Sequence, residues 1–165
     1  KTGNPILAEC VGGRWSAQEK YHGTLEAHEY AHMFQQQYHA TGTGWMTEGS
    51  AKFFGWMLGV PQQDVSDARI DSLKRCIGKS RDTSLLRTAH QGATNQDELG
   101  VQYCLGGLAT EYLVGRFGLA KFIEFTTHVQ SSSDFDSNFS QTYGITTTDF
   151  YRDLQPYVNY YAWFW

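Results

Sequence analysis

The segment that decides the fold spans residues 24–51 and reads TLEAHEYAHMFQQQYHATGTGWMTEGSA. In its first part, apolar residues return every three or four positions behind Thr24, which suits an N-cap, and this pattern predicts a helix over 24–38. The Gly- and Thr-rich stretch 40–44 predicts a loop. A second helix is predicted from about Thr47 to Leu58, where a glycine and a proline follow. The segment therefore predicts two helices joined by a short loop.

The first of these helices carries the sequence His28-Glu29-Tyr30-Ala31-His32. Residues four apart lie above one another on a helix, so both imidazoles can bind one metal ion. Glu29 lies about 100° around the helix axis from His28, where its carboxylate can accept a proton from a metal-bound water. The alternative interpretation is a pair of half-exposed histidines beside a solvated glutamate, without a metal.

A third metal ligand is predicted at Glu48, near the start of the second helix. A catalytic zinc ion takes three protein ligands and keeps a fourth position open for water. Gly49 and Ala51, beside this glutamate, would let the two helices approach closely. Considered alone, Glu48 could instead be an acidic residue that the helix dipole stabilises near a helix N-terminus.

With both motifs present, the sequence resembles the gluzincins, the peptidase MA-like, thermolysin-superfamily zinc metallopeptidases. Their signature combines HExxH with a later helix of the pattern W-x-x-E-G-x-A, which here is 45–51. The stretches 103–118 and 144–154 are also similar to later helices of that group. The resemblance covers about 24–157. It implies zinc as the cofactor, bound by His28, His32 and Glu48, with Glu29 as the general base.

The resemblance also implies a side chain that stabilises the oxyanion of the tetrahedral intermediate, a Tyr or His on a later helix. Tyr103, at the start of a predicted buried helix, is the candidate for this role, and His90 and His128 are the alternatives. The simpler interpretation of Tyr103 is an ordinary core tyrosine.

Two features depart from the gluzincin pattern. Gluzincins carry an N-terminal sheet whose edge strand pairs with the substrate backbone, whereas only a short stretch precedes the first helix here. We expect residues 6–15 to form a strand that borders the zinc cleft and whose free edge binds substrate or a second subunit. Lys52 stands where some relatives have an acid that supports a ligand histidine, so that support must come from another residue or be weaker.

The rest of the chain predicts more helices and no domain boundary. The predicted helices span 65–77, 101–117 and 120–129, and a last one begins near Thr146 and ends near Pro156. Small residues in the helix over 101–117 permit close packing, residues 78–99 predict a loop or short irregular helices, and 131–134 a linker. We therefore expect one zincin-like domain over 1–165, of class α+β but mostly α, with a short N-terminal strand region.

Composition excludes several classes of protein. The chain has 165 residues, 41% of them hydrophobic, which suits one domain with its own core and excludes a disordered chain. The formal net charge of −4 argues against a nucleic-acid-binding surface. No apolar run approaches the length of a membrane-spanning helix.

Three cysteines, none in a CxxC pair, exclude a four-thiolate metal site and allow at most one intrachain disulfide. We expect that bond between Cys76 and Cys104, where it would clasp the polar segment 78–99 to the buried helix. Together with one N-x-S triplet at 138–140, the cysteines favour a secreted or cell-envelope location.

These observations predict a zinc-dependent peptidase that hydrolyses bonds in a peptide or protein substrate. The alternative is a non-catalytic zincin-like domain that serves assembly or ligand binding. Self-association through the N-terminal strand or through the aromatic C-terminal segment 157–165 is a further expectation.

Overall fold

The structure is a computed structural model of the chain, and it describes residues 22–37, 43–76, 81–87, 96–128 and 135–162. The α-helices in these ranges are α1 (His22–Gln37), α2 (Gly44–Leu58), α3 (Val65–Cys76), α4 (Gln96–Gly100), α5 (Gly106–Phe117), α6 (Leu119–His128), α7 (Phe135–Tyr143) and α8 (Thr147–Ala162). Two short 3-10 helices, Gln62–Asp64 and Thr83–Arg87, and a π-helical segment, Val101–Leu105, lie between them.

The expected α+β class is wrong, because the described residues form helices and contain no strand. The physical reason lies in the core, where the apolar side chains of each helix are covered by side chains of other helices. These residues therefore bury their apolar surface without a sheet layer. The strand expected over 6–15 lies outside the described residues.

The centre of the described fold is formed by α2 and α5. Trp45 and Trp56 of α2 and Leu108 and Leu113 of α5 are almost inaccessible to solvent. Around them, aromatic side chains of α6, α7 and α8 pack against one another in edge-to-face and tilted contacts, among them Phe125, Phe135, Phe139 and Phe150. Burying one such side chain stabilises the fold by about 1.5–3 kcal/mol. This core holds α2 in a defined position.

The helices α1 and α2 form an antiparallel pair. At one end of the pair, the backbone of Gly23 touches that of Gly59, and at the other end the Gln35 side chain reaches the Thr47 carbonyl. On a different face of α2, Gly49 meets the backbone of Gly106 in α5. The expected close packing at the small residues of the 101–117 region is thus confirmed. As a result, α2 lies between α1 and α5.

The C-terminal part of the chain differs from the sequence expectation at two helices. The helix α7 lies over a stretch for which the sequence predicts no element, and the predicted linker at 131–134 lies outside the described residues. The helix α8 continues past Pro156 to Ala162, although a proline inside a helix removes a backbone hydrogen bond. Leu154 and Val158 on either side of this proline are fully buried, so tertiary packing maintains the helix.

The aromatic C-terminal segment contributes to the core over its described part. Tyr157 and Tyr161 pack against the hydrophobic core, whereas Tyr160 is exposed.

Within the described ranges, none of the helices combines the length and the apolar character needed to cross a lipid bilayer.

Candidate metal centre

The structure brings together the three side chains that the sequence predicts as metal ligands. His28 and His32 lie one turn apart on α1, with their rings edge-to-face and the two Nε2 atoms 3.0 Å apart. The Oε2 atom of Glu48, on α2, lies 3.5 Å from Nε2 of His28 and 3.3 Å from Nε2 of His32. All three ligand atoms are therefore within 4.8 Å of one another.

The separations of these atoms suit a small tetrahedral ion. Two ligands of a tetrahedral zinc ion, each about 2.1 Å from it, are about 3.4 Å apart, and the observed separations of 3.0 to 3.5 Å are close to this value. The Oε2 atom of Glu48 is buried and faces both imidazole nitrogens. Two imidazole nitrogens and one carboxylate oxygen are also ligands that zinc accepts. The residues present thus fit the ion that the motifs imply.

The electrostatics of the site favour a cation. Burial alone would raise the pKa of Glu48, but the imidazoles of His28 and His32 and the hydroxyl of Tyr103 outweigh burial and hold this pKa well below its usual range. The pKa of His32 is raised, chiefly by the Glu48 carboxylate. The carboxylate is therefore charged, and a proton and a metal ion compete for the same imidazole nitrogen.

A buried glutamine supports one of the imidazoles. Oε1 of Gln35 lies 2.8 Å from Nδ1 of His32, and its Nε2 donates to the Thr47 carbonyl at 2.9 Å and to the Ser50 hydroxyl at 2.8 Å. Lys52 cannot give this support, and Gln35 was not predicted from the sequence as its source. The signal was the spacing, because Gln35 follows His32 by three residues and so lies on the same helix face.

Tyr103 lies directly against the ligand side chains. Its ring is parallel to that of His28, with 5.6 Å between the centroids and 9° between the planes. It belongs to the π-helical segment Val101–Leu105, a distortion that is frequent at functional sites. Of the alternatives for its role, His90 lies outside the described residues, and so does the side chain of His128 at the end of α6.

Glu29 lies close enough to the site for its charge to act on both Tyr103 and His32. Burial raises the pKa of Tyr103 most, and the carboxylates of Glu48 and Glu29 raise it further. Glu29 itself is half-buried. The Glu29 carboxylate is thus near the metal-binding cluster, but it is not one of the three side chains that converge there.

A second feature lies on the opposite side of α1. Tyr30 and Phe34 each follow a ligand histidine by two residues, about 200° around the helix axis. They line an apolar groove of about 730 Å³ between α1, α2 and α6, together with Phe54, Leu58, Phe122 and Ile123. Gln35 and Ser50 also line this groove, whereas none of the three ligand residues does, so the groove reaches the hydrogen-bond partners of the cluster but not the ligands themselves.

The cluster can bind a divalent ion on three sides and admit solvent on another, because the side chains of His32 and Glu48 remain 20% and 26% exposed. An open coordination position is what distinguishes catalytic from structural zinc sites.

Comparison of the chain with models of protein families, with curated proteins and with solved structures finds no match. The site is therefore interpreted from its own chemistry.

Proposed function

We propose that this chain is a zinc-dependent peptidase of the gluzincin type, with His28, His32 and Glu48 as the zinc ligands. The observation that carries the proposal is the convergence of two imidazole nitrogens and one carboxylate oxygen within 4.8 Å of one another. Glu29 lies next to His28 on α1, the helix that supplies both imidazoles. The similarity of 28–32 and 45–51 to the gluzincin motifs supports the same function.

The residues of the site have distinct tasks in this proposal. A bound zinc ion supplies a water of lowered pKa and polarises the carbonyl of the scissile peptide bond. Glu29 takes the proton of the attacking water and passes it to the leaving amine. Tyr103 donates a hydrogen bond to the oxyanion of the substrate, since its raised pKa keeps the hydroxyl protonated.

The proposed location is secreted or in the cell envelope. Cys104 is disulfide-bonded, and disulfides persist mainly in oxidising compartments. A peptide or protein in such a compartment is therefore the proposed substrate.

The proposal is tested by comparing wild type with Glu29→Gln for zinc content and for cleavage of a casein-type substrate. We expect one zinc per chain in both proteins and a loss of kcat of about 10²–10⁴-fold in the variant, because an amide cannot accept the proton. Glu26→Gln is the matched control, since this exposed glutamate lies on the same helix at the edge of the groove. We expect Glu26→Gln to retain wild-type activity.

Two results would contradict parts of this proposal. Cleavage by Glu29→Gln at the wild-type rate would show that Glu29 is not the base. Retention of zinc by the double variant His32→Ala, Glu48→Ala would show that the ligands lie elsewhere.

A second candidate function is a non-catalytic domain that serves assembly or ligand binding. The apolar groove favours it, because Tyr30, Phe34 and Leu58 expose large apolar side chains there, and exposed apolar patches mark interaction surfaces. Zinc-loaded wild type that cleaves no member of a broad peptide library would favour this function over the peptidase.

A further inference from the structure

We infer that Gln35 is a positioning residue for the metal site: its side-chain amide holds His32 in the tautomer whose Nε2 lone pair faces the site. This inference rests on the proposed function. It assigns a role to a residue that binds neither metal nor substrate.

The orientation of the amide follows from its partners. The Thr47 carbonyl can only accept a hydrogen bond, so the group 2.9 Å from it must be the NH₂ end of Gln35. The oxygen end of the amide therefore faces Nδ1 of His32 at 2.8 Å. An oxygen acceptor needs a donor opposite it, so Nδ1 carries the hydrogen. In a neutral imidazole, this leaves Nε2 unprotonated, as a metal ligand must be.

The amide is also fixed by its other contacts. Both of its N–H groups are used, one by the Thr47 carbonyl and one by the Ser50 hydroxyl. Rotating the amide by 180° would place its NH₂ group against the Nδ1–H of His32 and its oxygen against the Thr47 carbonyl. Because Gln35 is 9% exposed, water could not readily replace the lost hydrogen bonds. In its observed orientation, the Gln35 amide therefore has a hydrogen-bond partner for its oxygen and for both of its N–H groups.

The same amide connects the two helices that supply the ligands. His32 belongs to α1, whereas Thr47 and Ser50 flank Glu48 on α2. The distance between the His32 imidazole and the Glu48 carboxylate is therefore set in part by Gln35. Partners of this kind typically change metal affinity by about 10- to 100-fold when they are removed.

The test uses two substitutions of similar volume, of which only the second can accept a hydrogen bond; the second also adds a negative charge. Gln35→Met has a similar volume but no acceptor, and Gln35→Glu keeps an oxygen for Nδ1–H. We expect Gln35→Met to weaken zinc binding by about 10- to 100-fold in a chelator competition, and Gln35→Glu, which keeps the acceptor for Nδ1–H but loses the hydrogen bond to the Thr47 carbonyl, to restore part of that loss. Ser50→Ala is the control, because it removes one contact of the amide and leaves the Gln35–His32 hydrogen bond in place.

A second measurement separates positioning from a purely structural role. The ¹⁵N shifts of the His32 ring in the metal-free protein, above the pKa of the imidazole, report which nitrogen carries the hydrogen. We expect the Nδ1–H form in wild type, Gln35→Glu and Ser50→Ala, and a shift toward Nε2–H in Gln35→Met. This measurement requires no zinc and no activity.

The outcomes distinguish this inference from the proposed function. If Gln35→Met binds zinc as tightly as wild type and keeps the Nδ1–H form, the inference about Gln35 is wrong and the proposed function stands. If wild type binds no zinc, the proposed function is wrong. In that case a wild-type protein in the Nε2–H form would overturn the tautomer assignment as well.

Discussion

The Tyr103 hydroxyl is a neutral hydrogen-bond donor at physiological pH. Burial raises its pKa most, and the carboxylates of Glu48 and Glu29 raise it further, because a phenolate would face two negative charges. The ring lies parallel to that of His28, with 5.6 Å between the two centroids. The side chain is therefore held in its protonated form beside the proposed zinc ligands.

Replacing Tyr103 by Phe tests whether this hydroxyl acts on the substrate. We expect Tyr103→Phe to keep zinc and to lower kcat by about 10²–10³-fold, with a smaller change in KM, as for the loss of one oxyanion donor. Tyr112→Phe is the control, because its hydroxyl contacts Arg116 on the same helix rather than the site. Full kcat in Tyr103→Phe would support the simpler interpretation of an ordinary core tyrosine.

At the level of helices, the site depends on how closely α2 approaches its neighbours. A Cβ atom at Gly49 would collide with the backbone of Gly106, and one at Gly106 would meet the Trp45 carbonyl. This contact between α2 and α5 lies next to Glu48 in the sequence and three residues from Tyr103. The absence of two side chains thus allows the carboxylate and the phenol to meet.

Two glycine substitutions separate this packing effect from helix propensity. We expect Gly49→Ala to destabilise the protein by about 1–3 kcal/mol, since the added methyl group must displace the α5 backbone, and to weaken zinc binding. Gly115→Ala, in α5, should stabilise the protein by about 0.5–1 kcal/mol, because nothing lies within 4 Å of its added Cβ. Both effects are measured by urea denaturation.

An unchanged or higher stability of Gly49→Ala would contradict the close approach of α2 and α5. A loss of stability in the control Gly115→Ala would contradict the open space around this glycine.

At the level of the whole molecule, one covalent bond adds to the core. Cys104 is fully buried in the π-helical segment and is disulfide-bonded. The side chain of Cys76, at the end of α3, and the whole of Cys10 lie outside the described residues. The pairing of Cys104 with Cys76 therefore stays a prediction.

Thiol counting and two serine variants test this pairing. We expect one reactive thiol per chain in denaturant without reductant and three after reduction. Cys76→Ser should lower the free energy of unfolding by about 3–4 kcal/mol, because it opens a loop that the disulfide closes, whereas Cys10→Ser should leave it unchanged. Three reactive thiols without reductant would rule out the bond, and a loss in Cys10→Ser alone would assign Cys10 as the partner.

Features that depend on local spacing could be predicted from the amino-acid sequence alone. The step of four residues places His28 and His32 on one helix face whatever the rest of the chain does. The apolar periodicity likewise predicted the helices that became α1, α2 and α3, to within a few residues at their ends. The pattern around Glu48 indicated a helix that could bring a carboxylate to the same point.

Features that join residues far apart in the sequence depend on tertiary packing and could not be predicted in this way. The all-α class, the continuation of α8 past Pro156 and the meeting of Tyr103 with His28 all depend on which helix faces cover one another. The same holds for Gln35. Its place on the His32 face of α1 follows from the spacing of three residues, but its contacts with Thr47 and Ser50 of α2 could not be predicted from the sequence. Helix formation depends on residues that are a few positions apart, so a local pattern can predict it. Which helix faces pack together depends on the apolar faces of the whole chain, and no local sequence pattern specifies this.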